Sequence, residues 1–139
     1  MRQKLLHILA VLILVVVALH LVAFQYSLYW HFWWYDIVVH FLGGLFAGLL
    51  SAWIVFYSGY IRDPRLTRWS LFLAIILGTL AIGVGWEVFE RLLGHTWSPE
   101  GYWLDTSTDV LMDVLGGLLC FLFLARNIAV DTSLSKPLV

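Results

Sequence analysis

Asp36 and His40 stand four residues apart, and so do Asp109 and Asp113. On a helix that spacing puts both side chains of a pair on one face, about one turn from each other. Glu87 and Glu90, three apart, also fall roughly on one face. Brought together, these stripes would offer carboxylate oxygens, one imidazole and no thiolate. Such a donor set suits magnesium, manganese, iron or zinc, and the sequence does not choose among them. The single cysteine, Cys120, lies in an apolar run, which excludes an intrachain disulfide and cysteine-cluster metal motifs.

Some of these acids also have a plain structural role open to them. Asp36 or Asp109 in the first turn of a helix is stabilised by the macrodipole, Asp105 or Thr106 could cap the helix that follows, and Glu87 could pair with Arg91 at i+4. His40 and Asp113 sit a turn deeper, where an ionisable group is costly unless it is paired or faces a wet cavity. One arginine cannot neutralise Asp36, Glu87, Glu90, Asp109 and Asp113 together, and carboxylates crowded at low dielectric take up protons or recruit a cation. The economical expectation is a divalent metal held by Asp36, His40, Glu87, Asp109 and Asp113. Glu90 or His20 is then the candidate proton-transfer group. A lone polar residue such as His20 more often hydrogen-bonds a neighbouring helix, and His31 and His95 read as solvated residues of outer loops.

The elements that must position these residues are membrane helices. The chain has 139 residues, 62% of them hydrophobic and 12% charged, with a mean hydropathy of +0.91. That is one domain by length, and its solvent is lipid. Four apolar stretches reach the roughly 20 residues a bilayer requires: Leu5–Phe24, Ile37–Tyr57, Trp69–Trp86 and Val110–Ala125. The expectation is a single all-α domain over 1–139, a four-transmembrane-helix bundle. Arg2 and Lys4 ahead of the first stretch imitate a secretory signal, but the core is long and no small-x-small cleavage site follows it cleanly, so it reads as a retained helix. The balance of Lys and Arg against Asp and Glu leaves no basic footprint for nucleic acid.

Charge sets the orientation. Arg2, Lys4, Arg62, Arg65, Arg68, Arg126 and Lys136 all fall on one side of a four-span arrangement, with only Arg91 on the other. The positive-inside rule makes both termini cytoplasmic, with the acidic cluster facing outside; the membrane expected is a prokaryotic cytoplasmic one. Asp63 and Asp131 are the acids of the inner side. The inner loop, with Gly59 and Pro64, reads as a connector, and the outer one, with Ser98, Pro99 and Gly101, as a turn that could act as a lid. Residues 25–36 read QYSLYWHFWWYD, an interfacial aromatic belt or a ledge that grips a headgroup.

An internal repeat links the stripes. Asp36, His40, Gly43, Gly44 and Leu45 correspond in spacing to Asp109, Asp113, Gly116, Gly117 and Leu118. Both copies open an even-numbered span, so two helical hairpins could be related by an axis along the membrane normal. Small residues that let helices approach, as in Gly44-x-x-x-Gly48, account for the glycines. They do not account for the polar residues outward of them.

An Asp-x-x-x-His stripe heading one membrane helix, a Glu-x-x-(Gln/Glu) at the outer end of the next, and Asp-x-x-x-(Asn/Asp)-x-x-Gly on the last together resemble the VanZ-like superfamily and related small membrane proteins. The resemblance runs from Asp36 to Gly117 and implies that Asp36, His40, Glu87, Glu90, Asp109, Asp113 and Gly116 are the motif positions. Ile37 stands where VanZ-like chains tend to carry lysine, and Asp113 where they carry Asn. Two functions follow as expectations. One is a metal-dependent hydrolase or transferase acting on a membrane lipid or lipid-linked headgroup, since no serine or cysteine nucleophile stands beside a histidine and an acid. The other is a non-catalytic accessory subunit, or a homo-oligomer, whose acids are structural or meet a protein partner. An ion pathway ranks last, because the inner halves of the spans hold only scattered Ser51 and Thr79.

Overall fold

A computed structural model describes residues 2–61, 67–94 and 101–134, with backbone alone from 127 onward. The expectations at Arg62, Asp63, Pro64, Arg65, His95, Ser98, Pro99 and Lys136 lie outside the described residues. Those described form helices and turns without a strand.

Helix α1 spans Arg2–Tyr26, and a short α2, Leu28–His31, leads into α3, Trp33–Ala52, which continues as a π-helical turn over Trp53–Tyr57. Then come α4, Arg68–Leu92, and α5, Tyr102–Leu134. Among the described residues four segments are long and apolar enough to cross a membrane: Arg2–Tyr26, Trp33–Tyr57, Arg68–Leu92 and Tyr102–Arg126, each of 25 residues. At 1.5 Å per residue each is about 37 Å long, more than the roughly 30 Å hydrocarbon core, so the end turns can carry polar groups.

Every apolar stretch read from the sequence lies inside one of these helices, and the helices run past it. Hydropathy marks the part that tolerates hydrocarbon, whereas a helix continues wherever its polar side chains find partners. The largest extension is at α5. It begins at Tyr102, after Gly101 turns the chain at a φ of 92°. Asp105 and Thr106 are therefore inside the helix and cap nothing, contrary to the expectation above. At the other end of the molecule α4 starts with a capping box, in which Thr67 and Ser70 exchange side-chain to backbone hydrogen bonds of 3.2 Å.

Helices α3, α4 and α5 pack on one another, with α4 antiparallel to the other two. The closest pair is α3 with α5, the two helices that carry the repeat. A Cβ at Gly44 would overlap the Asp113 backbone, and one at Gly116 would overlap the Phe41 carbonyl and the Leu45 amide. Glycine at these positions lets the two backbones meet, so the acids one and two turns outward are brought face to face. A buried apolar cluster including Leu49, Leu71, Ile75, Cys120 and Leu124 closes the opposite end.

Helix α1 is the outlier. Among the described residues its Cα atoms come within 8 Å of α2, α3 and the π turn, and of neither α4 nor α5. Left-handed Ser27, at a φ of 54°, reverses the chain after it. The aromatic segment then folds back: the Tyr35 hydroxyl donates to the Leu19 carbonyl at 3.0 Å, and the Tyr29 hydroxyl lies 2.9 Å from His20 Nδ1. Trp30, Trp33 and Trp34 stay exposed, as an interfacial belt requires.

Candidate metal centre

The His40 ring organises the acidic end. Its Nε2 lies 3.6 Å from Asp36 Oδ1, 3.9 Å from Glu87 Oε1 and 3.9 Å from Asp109 Oδ2. Its Nδ1 lies 3.5 Å from Asp113 Oδ2. Thus α3 contributes Asp36 and His40, α4 contributes Glu87, and α5 contributes Asp109 and Asp113. His40, Glu87, Asp109 and Asp113 are buried, while the Asp36 side chain is 30% exposed and marks the open side.

Donor atoms of Asp36, His40 and Asp109 lie within 4.8 Å of one another. An ion bonded to nitrogen and oxygen at about 2.0–2.2 Å bridges donors up to about 4.4 Å apart, so small side-chain shifts close the set. Glu87 adds a fourth. Its Oε2 accepts a 2.8 Å hydrogen bond from the Thr106 hydroxyl, while its buried Oε1, on the His40 side, has no hydrogen-bond partner among the described residues. A buried acceptor left this way is costly unless something else satisfies it. Asp113 faces the other edge of the imidazole. A carboxylate that accepts from Nδ1–H leaves the Nε2 lone pair free for a metal.

The charges do not balance. Among the described residues no lysine or arginine lies within 4 Å of these carboxylates, and His40 is their common partner. Arg91 does not pair with Glu87. Its guanidinium stacks over the Tyr102 ring at 4.5 Å and near that of Trp103 at 5.8 Å. Four carboxylates crowded around one imidazole take up protons or recruit a cation.

The two proton-transfer candidates flank the cluster. Glu90, half-buried, lies one turn beyond Glu87 and four residues beyond Trp86. His20 of α1 meets Tyr29 and the edge of the Trp86 ring, with centroids 5.6 Å apart. Burial first, then the charge of Asp36, raises the Tyr29 hydroxyl well above the usual tyrosine range. It therefore stays protonated and can donate to His20 Nδ1, which puts the proton of a neutral His20 on Nε2. Of the outer-loop histidines, His31 is exposed and bonds the Ser27 carbonyl. The sequence offered Thr106 only as a cap and Tyr29 only as part of the aromatic belt, and neither as a site residue. Thr106 precedes Asp109 by three and Asp113 by seven, so helical phase could have found it; Tyr29 sits in an unbroken aromatic run with no such signal.

A protein-family model described as "Predicted membrane protein (DUF2238)" matches residues 1–129. The chain belongs to this family. No curated protein and no solved structure matches it. The DUF2238 match takes in every membrane-crossing segment and all five residues of the acid–histidine cluster. What the DUF2238 protein presents is a group of half-buried Asp36 with buried His40 and Asp109 that could hold a metal ion, carried on helices able to cross a membrane.

Proposed function

We propose that this DUF2238 protein is a membrane-embedded metal-dependent hydrolase or transferase acting on a lipid or lipid-linked headgroup. Asp36, His40, Glu87 and Asp109 hold the ion, and Asp113 orients His40. The observation that carries the reading is the buried Glu87 Oε1, turned toward His40 Nε2 and, among the described residues, without a hydrogen bond, beside three further carboxylates that meet no lysine or arginine there. Bound there, zinc, manganese, magnesium or iron would supply Lewis acidity toward a phosphoryl or acyl oxygen and acidify water. The chain's own groups do the rest. Partly exposed Asp36 marks the way in, and His20 or Glu90 carries the proton.

The placement of basic residues supports cytoplasmic termini and an extracytoplasmic site. The pattern Asp36-x-x-x-His40, Glu87-x-x-Glu90 and Asp109-x-x-x-Asp113-x-x-Gly116 supports kinship with the VanZ-like superfamily. The test is elemental mass spectrometry on protein purified in detergent without added metal or chelator, beside His40→Ala and Asp109→Ala. Near-stoichiometric metal, lost in both variants, with chelator-sensitive release of headgroups from a lipid panel, is the expected result. Metal that is retained in both variants, or absent from all three proteins and unable to raise the melting temperature when added, overturns the reading. Metal without turnover leaves a structural staple instead of an enzyme.

A further inference from the structure

A cavity of about 260 Å³ lies between α1, α3 and α4. Its walls descend from His20 to Ile13 along α1 and from His40 to Ala47 along α3, in each case about 10 Å at 1.5 Å per residue. That is about two-thirds of one leaflet of a roughly 30 Å hydrocarbon core. The cavity has two chemically different ends. At one, His20, His40 and Asp113 meet it; below them the lining is Ile13, Val17, Phe46, Ala47 and Ile82, apolar without interruption.

Access is from the side. The rings of His20 and Trp86 touch edge to face across the top, joining α1 to α4. Apart from that bridge the two helices stand apart: among the described residues no Cα of one is within 8 Å of the other. Val17 and Ile82, on the two lips of the gap, are each 45% exposed. Water does not settle in an apolar slot, and an empty one forfeits the dispersion contacts of its walls. At this depth the molecule available to fill it is hydrocarbon.

We propose that this slot holds one acyl chain of a membrane lipid, threaded laterally between α1 and α4, with the lipid's polar end at His40. The site thereby selects a glycerolipid of its own leaflet over a water-soluble ester or phosphate. The fate of the polar end rests on the metal-enzyme reading above; the chain site does not.

The test uses full-length protein in phospholipid nanodiscs with a phosphatidylcholine carrying a diazirine in mid-chain. After photolysis, crosslinks are mapped by peptide mass spectrometry. The expected result is labelling concentrated in residues 13–21 and 39–47, and its loss in Val17→Trp and in Ile82→Trp. Both positions face the gap and can take a larger ring without disturbing the core, and unchanged metal content and monodispersity in either variant show that it is folded. Labelling spread evenly over the lipid-facing helix surfaces, and indifferent to both variants, overturns the proposal. So does displacement of the probe by a polyprenyl phosphate and not by unlabelled phospholipid. Confined labelling in a protein that binds no metal upholds the chain site and overturns the metal reading alone.

Discussion

Asp113 Oδ2 lies 3.5 Å from Nδ1 of His40, on the opposite edge of the ring from the nitrogen that faces Asp36, Glu87 and Asp109. The two residues come from different helices, and they meet because Gly44 and Gly116 let those helices touch. In the proposed site, Asp113 would thereby fix the tautomer and angle of the imidazole.

The first prediction follows from that role. Asp113→Asn keeps an oxygen that can accept from Nδ1–H, so metal affinity should fall by no more than the roughly 10–100-fold typical of outer-shell changes. Asp113→Ala, which leaves the ring without its acceptor, should weaken it further. Titration calorimetry on metal-stripped protein measures both. Equal loss in the two variants would sink the orienting role and make Asp113 a direct ligand.

Thr106 supplies the second. Its hydroxyl donates to Glu87 Oε2 at 2.8 Å and aims Oε1 at His40. Thr106→Val removes the donor at nearly constant shape and leaves a buried carboxylate oxygen unsatisfied, at a cost of about 1–3 kcal/mol. The melting temperature should drop and metal affinity with it, while Thr106→Ser restores both.

The helices were legible because each carries an uninterrupted apolar run, and the polar stripes because i,i+4 spacing survives any choice of neighbours. Helix ends were not, since hydropathy falls at Asp105 and Thr106 while the α5 backbone continues through them to Tyr102. The side of the ring that Asp113 takes was not legible either. It depends on room left by other elements: a Cβ at Gly83 would collide with the Asp113 carboxylate, and one at Gly43 would stand 3.7 Å from its Oδ1. Nothing in the spacing of 109 and 113 distinguishes two ligands from one ligand and one orienting group. The Glu87–Arg91 pair fails for the same reason, because Tyr102 and Trp103 arrive from α5 to claim the guanidinium.

Glycine substitutions separate packing from site chemistry. Gly44→Ala and Gly116→Ala both place a methyl where backbone already stands, and overpacking of this kind typically costs about 1–3 kcal/mol or more. Because Asp36 and His40 sit on one side of that seam and Asp109 and Asp113 on the other, metal content should fall together with the melting temperature. Gly85→Ala is the control. A Cβ there meets nothing within 4 Å, so its effect should stay within about 1 kcal/mol of neutral and leave metal content unchanged.

Metal removal and pH should act through the same four carboxylates. An ion bound at 100 times its Kd stabilises the folded chain by about 2.7 kcal/mol, so chelation should lower the melting temperature measurably in wild type and not in His40→Ala. Ligands bind metal only after losing their protons, and binding therefore releases protons to solvent. The sign follows: acidification lowers apparent affinity, and the gap in melting temperature between metal-loaded and chelated protein should narrow as pH falls. Arg91 gives the counterpart. Its guanidinium stacks on Tyr102 and makes no ion pair with Glu87, so Arg91→Gln should leave that pH dependence unaltered. If Arg91→Gln raised metal affinity several-fold and steepened the pH response, arginine would be competing with the ion for the acids, and the charge count behind the site would be wrong.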